Sequence, residues 1–495
     1  MDLLNIFLIP VVVVYTLVMA AILVYVFNYF YLAFLAWKRR VELIQSTTEL
    51  VGPWPQVTVQ LPIYNEWYVA ERLIESAAAL DYPRELLEIQ VLDDSTDETF
   101  SLISDKVKYL SAQGLNIVHH HRSARVGFKA GALADGLDKA SGEFLAIFDA
   151  DFVPQPDFLR RILPHFDNDR VAFVQGRWGH LNRNYSVFTF LQSLTLDAHF
   201  AIDQLARANS GYFFNFNGTA GVWRKSSILD AGGWQATTLT EDLDLSYRVF
   251  LCGWTARYAG EVEVPAELPV SFTAYRRQQH RWARGGLECA IRYIPIMWRS
   301  KYSFMTKFQS TLHLTSYGLH LLALALICLY PLLLLFAKEY PTLLAPIGIG
   351  FFLNALVFAP AVYFVIAQKI LRRRWLMNIP IIFLISIFSS GLILNTLRAA
   401  LQILGHRDIP FERTPKYGIT SRMQSWDKTR YHVKVDILVV FELALACLNI
   451  WSAWLAWQTG YYFVMIYTIL FALGLLFASG FTLLQSLPVR FTSDH

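Results

Sequence analysis

Charged residues are unusually few in this chain. They make up 17% of its 495 residues, hydrophobic residues make up 55%, and the formal net charge is only +4. A charge this small, with the basic residues in short clusters beside apolar runs, argues against nucleic-acid binding. The apolar excess departs from the composition of soluble domains and predicts a membrane protein.

Cysteine is also scarce, and two phosphate-binding motifs are missing. The four cysteines lie far apart and form no C-x-x-C pair, which argues against a disulfide framework and against a cysteine-based zinc site. Neither G-x-x-x-x-G-K-[ST] nor G-x-G-x-x-G occurs, so no glycine-rich loop is available to cradle a phosphate. Any bound phosphate must therefore be neutralised by another group.

The apolar residues are concentrated on both sides of a soluble part. Residues 7–36 are long enough to cross a bilayer and are followed by Trp37-Lys38-Arg39-Arg40. Because basic residues mark the cytoplasmic end of a membrane helix, we expect the N-terminus outside and the next domain in the cytoplasm. Further candidates bring the predicted number to about five spans: 312–336, 342–367, 435–457 and 461–486.

Two other apolar segments are expected to lie at the membrane surface. Residues 377–404 are apolar enough to cross, but both flanks are basic, so one crossing would violate the charge rule. We interpret this segment as interfacial or re-entrant, with a sixth span as the alternative. Residues 284–305 interleave apolar and basic side chains, which predicts an amphipathic helix lying on the bilayer.

Together these patterns predict a division of the whole chain. In order, it comprises an N-terminal membrane helix with its basic flank (1–45), a cytoplasmic catalytic domain (50–283), the amphipathic helix (284–305), a pair of membrane helices (306–370), the interfacial or re-entrant segment (377–404), a loop (405–425), a second pair of membrane helices (432–487) and a cytoplasmic tail (488–495).

The soluble part has the pattern of a mostly parallel α/β sheet. Short runs rich in β-branched residues alternate with helical patterns, and the runs predict strands at Val57 to Ile63, Glu88 to Leu92, Leu115 to Val118 and Phe144 to Phe148. Ligands bind such sheets beyond the carboxyl ends of the strands. Acidic residues follow two of the predicted strands at that edge: Asp93 and Asp94, then Asp149 and Asp151.

Two of the acidic sites suggest specific chemistry. Asp149 and Asp151 would lie on one side of an extended backbone, where they could share one Mg²⁺ or Mn²⁺ ion that clamps a diphosphate. Asp242 precedes an apolar-periodic run, 243–250, and is a candidate general base at a helix N-terminus. Solvated loop carboxylates and an ordinary N-terminal helix acid are the alternatives. The run 119–121 of three histidines is not expected to bind one metal, because strand neighbours face opposite sides.

Seven short motifs together resemble the family 2 processive glycosyltransferases, above all the cellulose-synthase-like A and C enzymes, which make mannan, glucomannan or glucan backbones. The resemblance covers residues 50–300 and extends to the layout of the membrane region. The motifs are Pro62-Ile63-Tyr64-Asn65-Glu66, Val91 to Asp97, Lys129 to Leu133, Phe148 to Phe152, Phe216 to Trp223, Thr240-Glu241-Asp242 and Gln278-x-x-Arg281-Trp282.

The resemblance implies a nucleotide-sugar-binding catalytic domain of the GT-A type and a role for each matching residue. Asp242 would be the catalytic base, and Asp149 and Asp151 would bind the metal. The nucleotide sugar would be bound by Tyr64, Glu66, Asp93, Asp94, Lys129, Asp149 and Arg281. The acceptor would be bound by Phe216, Asn217, Gly218, Thr240, Glu241, Gln278 and Trp282. A gating loop would contain Phe411, Arg413, Thr414 and Lys416, with Arg413 where the family usually has an apolar residue.

The expected function is therefore hexose transfer from UDP-glucose or GDP-mannose to a growing β-linked polysaccharide, with inversion at the anomeric carbon and with the bilayer as a partner. Sequence leaves the choice of donor open. One alternative is a glycosyltransferase that adds one or a few sugars to a membrane lipid. A receptor that binds a nucleotide sugar without turnover is a third possibility, which the intact metal and base positions disfavour.

Overall fold

The computed structural model describes residues 3–41, 53–337, 339–340, 359–405, 413–424 and 436–486. Its centre is a sheet of seven strands in the order β3-β2-β1-β4-β6-β5-β7. The strands are β1 Val57–Ile63, β2 Leu87–Asp93, β3 Ile117–His121, β4 Phe144–Ile147, β5 Val171–His180, β6 Gly221–Arg224 and β7 Thr255–Ala266. Strand β6 is antiparallel to both its neighbours, and the other pairings are parallel.

The predicted strands correspond to β1, β2, β3 and β4, with ends shifted by at most a few residues. The sequence analysis did not anticipate β5, β6 or β7. Their residues are β-branched, aromatic and small in mixed order, so they lack the short uniform runs of the first four strands. The mostly parallel α/β sheet is confirmed by the observed pairing.

Helices cover both faces of the sheet, and each face has its own apolar core. In the soluble part they are α2 Trp67–Ala78, α3 Thr99–Ala112, α4 Phe128–Lys139, α5 Phe158–Ile162, α6 Val187–Ala198, α7 Leu205–Asn209, α8 Lys225–Asp230 and α9 Glu241–Leu251, with a π-helix at His199–Gln204 and 3₁₀ turns at Arg84–Leu86 and Leu163–His165. The central strand β1 shows why the fold is stable, because six of its seven residues are buried between the two layers.

The remaining helices form the apolar part of the chain. They are α1 Leu3–Arg39, α10 Phe272–Arg299, α11 Phe304–Leu314, α12 Gly318–Leu335, α13 Ala359–Ile370, α14 Trp375–Ser390, α15 Ile393–Leu404, α16 Leu438–Thr459 and α17 Tyr462–Ser486. Apolar side chains on their outer surfaces are exposed, among them Leu17 at 64% and Phe27 at 61% on α1. Such exposure is typical of a surface that faces lipid rather than water.

Among the described residues, five helical stretches are long and apolar enough to cross a membrane: Leu8–Arg39, Gly318–Leu335, Trp375–Leu404, Leu438–Thr459 and Tyr462–Ser486. Four of them match predicted spans. The fifth is Trp375–Leu404, which the sequence analysis interpreted as interfacial or re-entrant; it has the length and composition of a span. The predicted span 342–367 lies mostly outside the described residues, and its described end forms the short helix α13.

The predicted amphipathic helix is part of a longer element. Helix α10 starts at Phe272, with the Ser271 hydroxyl accepting a hydrogen bond from the Ala274 amide, and continues to Arg299 without a break. The motif Gln278-x-x-Arg281-Trp282 and residues 284–299 of the predicted membrane-surface segment therefore belong to one continuous helix. This helix links the soluble domain to the apolar helices.

Helices α14 and α17 approach each other closely at Gly474. A Cβ atom at this position would lie 2.4 Å from the Ile387 carbonyl oxygen and would overlap the Ser390 hydroxyl. Gly480, on the same helix, has no atom within 4 Å of such a Cβ. Small residues permit this kind of backbone contact between apolar helices, which pack by shape rather than by exclusion of water.

We predict that Gly474→Ala lowers the thermal stability of the detergent-solubilised protein, because overpacking a tight helix contact costs about 1–3 kcal/mol. Gly480→Ala is the matched control, and its melting temperature should equal or slightly exceed that of the unsubstituted protein. Equal melting temperatures for the two variants would contradict the close α14–α17 packing.

Candidate active site

A polar cleft opens at the edge of the sheet where β4 ends and where β5 and β7 finish. Its lining includes most of the residues that the sequence motifs singled out: Lys129, Asp149, Asp151, Asn217, Gly218, Thr240, Glu241, Asp242, Gln278, Arg281, Trp282, Thr414 and Lys416. Residues from distant parts of the sequence thus share one cavity. The walls come from α4, α9, α10 and residues 413–424.

Asp149 and Lys129 form the first charged pair of the cleft. Lys129 Nζ lies 2.6 Å from Asp149 Oδ1 and 3.6 Å from Glu241 Oε1, and it donates to the Gly218 carbonyl oxygen at 2.9 Å. Burial lowers the pKa of Lys129, but the neighbouring carboxylates, Asp149 first, raise it above its ordinary value. The lysine is therefore a permanent positive charge inside the cleft.

Asp151 meets a second lysine, Lys416, whose ammonium lies 2.7 Å from Asp151 Oδ1 and 3.2 Å from Glu66 Oε1. The residues around Lys416 are fixed by Glu267, whose carboxylate accepts hydrogen bonds from the Tyr417 and Gly418 amides at 2.9 and 3.0 Å. The segment 413–424 therefore closes over one side of the cleft. Phe411, the other residue predicted for this loop, lies outside the described residues.

The donor set of this cleft suits a hard divalent cation. Asp149 and Asp151 lie in the turn after β4 rather than on extended backbone, so the predicted same-side spacing is not what brings them together. Asp151 Oδ1 is buried, and the Lys416 ammonium lies 2.7 Å from it. Carboxylate oxygens such as those of Asp149 and Asp151 are the ligands that Mg²⁺ and Mn²⁺ prefer.

Asp242 is half-buried in the first turn of α9 and faces Gly218. Burial first, and the neighbouring Glu241 carboxylate second, raise the pKa of Asp242 to about 7. A Cβ atom at Gly218 would lie 3.1 Å from Asp242 Oδ2, and Gly218 has a φ of +78°, so only glycine suits this position. A carboxylate with a pKa near neutrality can accept a proton at physiological pH.

The motif of helix α10 supplies a cation and an aromatic surface. Burial lowers the pKa of Arg281 to about 10, although the negative charges of Glu241, Asp149 and Asp151 act to raise it. The Trp282 ring lies 6.4 Å from the ring of Trp178, and both rings line the cleft. A guanidinium suits a phosphate group, and an indole face suits the apolar face of a sugar ring.

Asp93, predicted to contact a nucleoside, lies at the end of β2 in a hydrogen-bonded cluster beside the cleft. His119 Nε2 and His121 Nδ1 lie 2.9 and 3.3 Å from Asp93 Oδ2, and the Ser95 amide donates to Oδ1. As predicted for neighbours in a strand, His120 faces the side opposite Asp93. His119 and His121 lie two residues apart on β3, so both side chains face Asp93. Burial raises the pKa of Asp93, but these hydrogen bonds outweigh it and hold the pKa below its ordinary value.

The other predicted nucleotide contacts surround Asp93. Asp94 accepts two hydrogen bonds from the Arg122 guanidinium, at 2.7 and 2.6 Å. The Arg125 guanidinium stacks on the Tyr64 ring, 3.4 Å from its centre. Tyr64, Asp93 and Asp94 thus form a group beside the charged cleft rather than within its lining.

Phe216 is the one predicted acceptor residue whose side chain the structure buries in the core. Its ring is fully buried and packs on Phe173 and Trp223, with ring centres 5.9 and 5.2 Å apart. It does not line the cleft, so its contribution is to hold the following Asn217-Gly218 stretch in place. A long aromatic run in the sequence favours such core packing over ligand contact.

Trp178 and Glu267 also line the cleft, although no sequence motif singled them out. Trp178 lies on β5 and Glu267 directly follows β7, and neither strand was predicted. The only sequence signal for Trp178 was its position beside a glycine near the end of the stretch Val171–His180. No local pattern marks Glu267.

Comparison with known proteins agrees with this geometry. Residues 55–285 match the model "Glycosyltransferase like family 2". The chain is 43% identical over 262 residues to glucomannan 4-beta-mannosyltransferase 2 of Arabidopsis thaliana, covering 51% of this chain and 49% of that protein. It is 45% identical over 240 residues to the probable glucomannan 4-beta-mannosyltransferase 7 of Oryza sativa subsp. japonica, covering 48% of this chain and 41% of that protein. The chain thus spans about half the length of the curated relatives it matches or less.

A solved structure shares the fold. The mannosyltransferase PcManGT from Pyrobaculum calidifontis, solved in complex with GDP-Man and Mn²⁺, superposes with a TM-score of 0.52 at 20% identity, over 80% of this chain and 100% of that one. The mixed sheet with β6 antiparallel and the cleft at the end of β4 belong to this GT-A architecture. Sequence, fold and comparisons agree: residues 55–285 are similar to a glycosyltransferase domain of family 2.

Proposed function

We propose that the chain is a membrane-embedded inverting glycosyltransferase that moves a hexose from a nucleotide diphosphate sugar to a growing β-linked polysaccharide. One observation carries this proposal: a single cleft holds the Asp149 and Asp151 carboxylates, the desolvated Asp242 and the Trp282 ring. These groups supply what the reaction needs, namely a diphosphate site, a base and a surface for a sugar ring.

We propose GDP-mannose as the donor, with UDP-glucose as the alternative. The support is the identity of 43% and 45% to two proteins named for 4-β-mannosyl transfer to glucomannan. The matched stretches are 262 and 240 residues long. Because they cover only part of each relative, the polysaccharide acceptor and the 4-β linkage are part of the same proposal.

The residues of the cleft have different roles in the proposed reaction. Asp149 and Asp151 would hold Mg²⁺ or Mn²⁺, and the ion when bound neutralises charge on the departing diphosphate. Lys129, Arg281 and Lys416 add permanent positive charge around the same position. Electrostatic stabilisation of this kind is worth most where water is excluded, and each of the three cations is only partly exposed.

Asp242 acts as the base in a direct displacement. The acceptor hydroxyl attacks the anomeric carbon while Asp242 takes its proton, and the bond to the diphosphate breaks on the opposite side. An α-linked donor therefore gives a β-linked product. A second carboxylate straddling the bond, as glycoside hydrolysis requires, is unnecessary here.

The apolar helices give the proposed enzyme its location. We propose a multi-pass membrane protein with the N-terminus outside and the catalytic domain in the cytoplasm, supported by the basic cluster 38–40 at the end of α1. The cleft residues Gln278 and Trp282 lie on α10, which contacts these helices. A polymer leaving the cleft there would pass directly into the bundle, so we include coupled export in the proposal.

We predict that Asp242→Asn lowers kcat by about 10² to 10⁴, the usual effect of losing a general base, while the donor Kd changes little. Steady-state transfer assays and calorimetric titration with the nucleotide measure the two quantities. Asp135→Asn, which changes an exposed acid on α4, is the control and should behave as wild type. Equal losses of binding and turnover would contradict a role for Asp242 as base.

The raised pKa of Asp242 predicts a pH profile. The base must be ionised to accept a proton, so kcat/KM should rise with pH through about 7 and level off above it. Ionising the buried acid is unfavourable in the fold, so its cost to stability grows as pH rises towards that pKa. Asp242→Asn should therefore melt at a higher temperature than wild type at pH 8 and not at pH 4. A flat rate profile across this range would exclude Asp242 as the titrating base.

Product analysis tests the function itself. The purified protein, reconstituted in liposomes with Mn²⁺ or Mg²⁺, is incubated with radiolabelled GDP-mannose or UDP-glucose, and the product is sized and extracted with organic solvent. We expect mannose in long water-insoluble chains that an endo-β-mannanase cleaves. Label that enters the organic phase would favour the glycolipid alternative, and transfer from UDP-glucose alone would overturn the choice of donor.

A further inference from the structure

An arginine on helix α10 is buried among the apolar helices. Arg276 is 4% exposed, and Glu442 on α16 is fully buried. Arg276 Nη2 donates to Glu442 Oε1 at 2.6 Å, and Nη1 donates to Thr482 Oγ1 on α17 at 3.0 Å. This charge pair lies two residues before Gln278, the first residue of the cleft motif on α10.

Further polar contacts hold the same stretch of α10. Asn395 of α15 donates to the Arg276 carbonyl oxygen at 3.1 Å, and Gln485 of α17 accepts from the Phe272 amide at 2.8 Å. The Tyr317 hydroxyl, directly before α12, donates to Gln279 at 3.1 Å. These polar partners come from α12, α15, α16 and α17 or from the ends of those helices.

Stability alone is a poor explanation for the pair. Removing an ion from water costs several kcal/mol, and an apolar pair of similar volume is often equally stable. Among the described residues, Arg276 Nε and Glu442 Oε2 also have no hydrogen-bond partner. Unlike an apolar contact, a hydrogen-bonded charge pair requires a particular distance and angle between its two side chains. It therefore fixes the relative orientation of the helices that carry them.

The periodicity of α10 connects this anchor to the cleft. A helix advances by about 100° per residue, so Gln278, Arg281 and Trp282 lie about 200°, 140° and 240° around the axis from Arg276. All three therefore project from the face opposite Arg276, and all three line the cleft. Any rotation of α10 that broke the Arg276–Glu442 contact would swing these side chains out of position.

We propose that Arg276 and Glu442 are positioning residues through which the membrane helices set the rotation of α10 and so aim Gln278, Arg281 and Trp282 into the cleft. This inference rests on the proposed function. Misplacing reacting groups by about 1 Å can cost about 10² in rate. Of the residues proposed to bind the donor, Arg281 alone lies on α10, and the pair does not contact the others, so donor KM should change less than kcat.

The test replaces the pair by apolar residues of similar volume, Arg276→Met with Glu442→Met, in the full-length reconstituted protein. We expect a melting temperature within a few degrees of wild type, a donor KM within about threefold, and a kcat for transfer lower by about 10- to 100-fold. Arg224→Met with Glu143→Met is the matched control. That pair, 2.8 Å apart, lies at the opposite end of β4 and β6, and its loss should leave both kcat and KM unchanged.

A conservative variant keeps the test decisive if the double variant fails to fold. Arg276→Lys retains the charge opposite Glu442 but lacks the planar fork, so we expect a smaller loss of kcat with an unchanged melting temperature. Wild-type kcat in either folded variant, or a loss seen only in donor KM, would overturn the inference. Absence of transfer by the wild-type protein would instead be a failure of the proposed function.

Discussion

The ammonium group of Lys129 is the centre on which the cleft depends. It contacts the Asp149 carboxylate, the Glu241 carboxylate and the Gly218 carbonyl, which belong to the turn after β4, the start of α9 and the loop before β6. A buried cation is tolerated only when opposite charge surrounds it. To compensate the charge of Lys129, these three segments must lie close together. The need for charge compensation therefore also determines the shape of the cleft.

Lys416 repeats this arrangement on the other side of the cleft. It neutralises Asp151 and Glu66, and it arrives on a segment that Glu267 fixes through two backbone amides. Each acidic residue of the Asp149-Ala150-Asp151 stretch therefore has its own lysine. Asp242 differs from both, because burial and the adjacent Glu241 raise its pKa to about 7. Environment thus separates carboxylates that bind cations from one that can exchange a proton.

Helix α10 joins this chemistry to the apolar helices. Its first two turns are held by polar side chains of the bundle, and the opposite face of the second and third turns lines the cleft. The helix then continues to Arg299 along the soluble domain, where Cys289 and Tyr293 enter the core. A single rigid element therefore transmits the geometry of the membrane region to the cleft.

The sequence by itself determined the elements whose cause is local. Strand β1 is a short run rich in β-branched residues, and α9 begins at an acidic N-terminus, so local composition and end chemistry suffice for both. Asp149 and Asp151 follow a predicted strand and Asp242 lies in the first turn of a helix, so these cleft residues were equally accessible. The resemblance to a known family pointed to Gln278, Arg281 and Trp282. Tertiary structure decided what depends on contacts across the chain. It buried Phe216 among aromatic neighbours, aimed Trp178 into the cleft from an unpredicted strand, and paired Arg276 with a glutamate 166 residues away. These three contacts depend on which helices and strands pack against each other. A local sequence pattern carries no information about a partner that lies far away in the sequence.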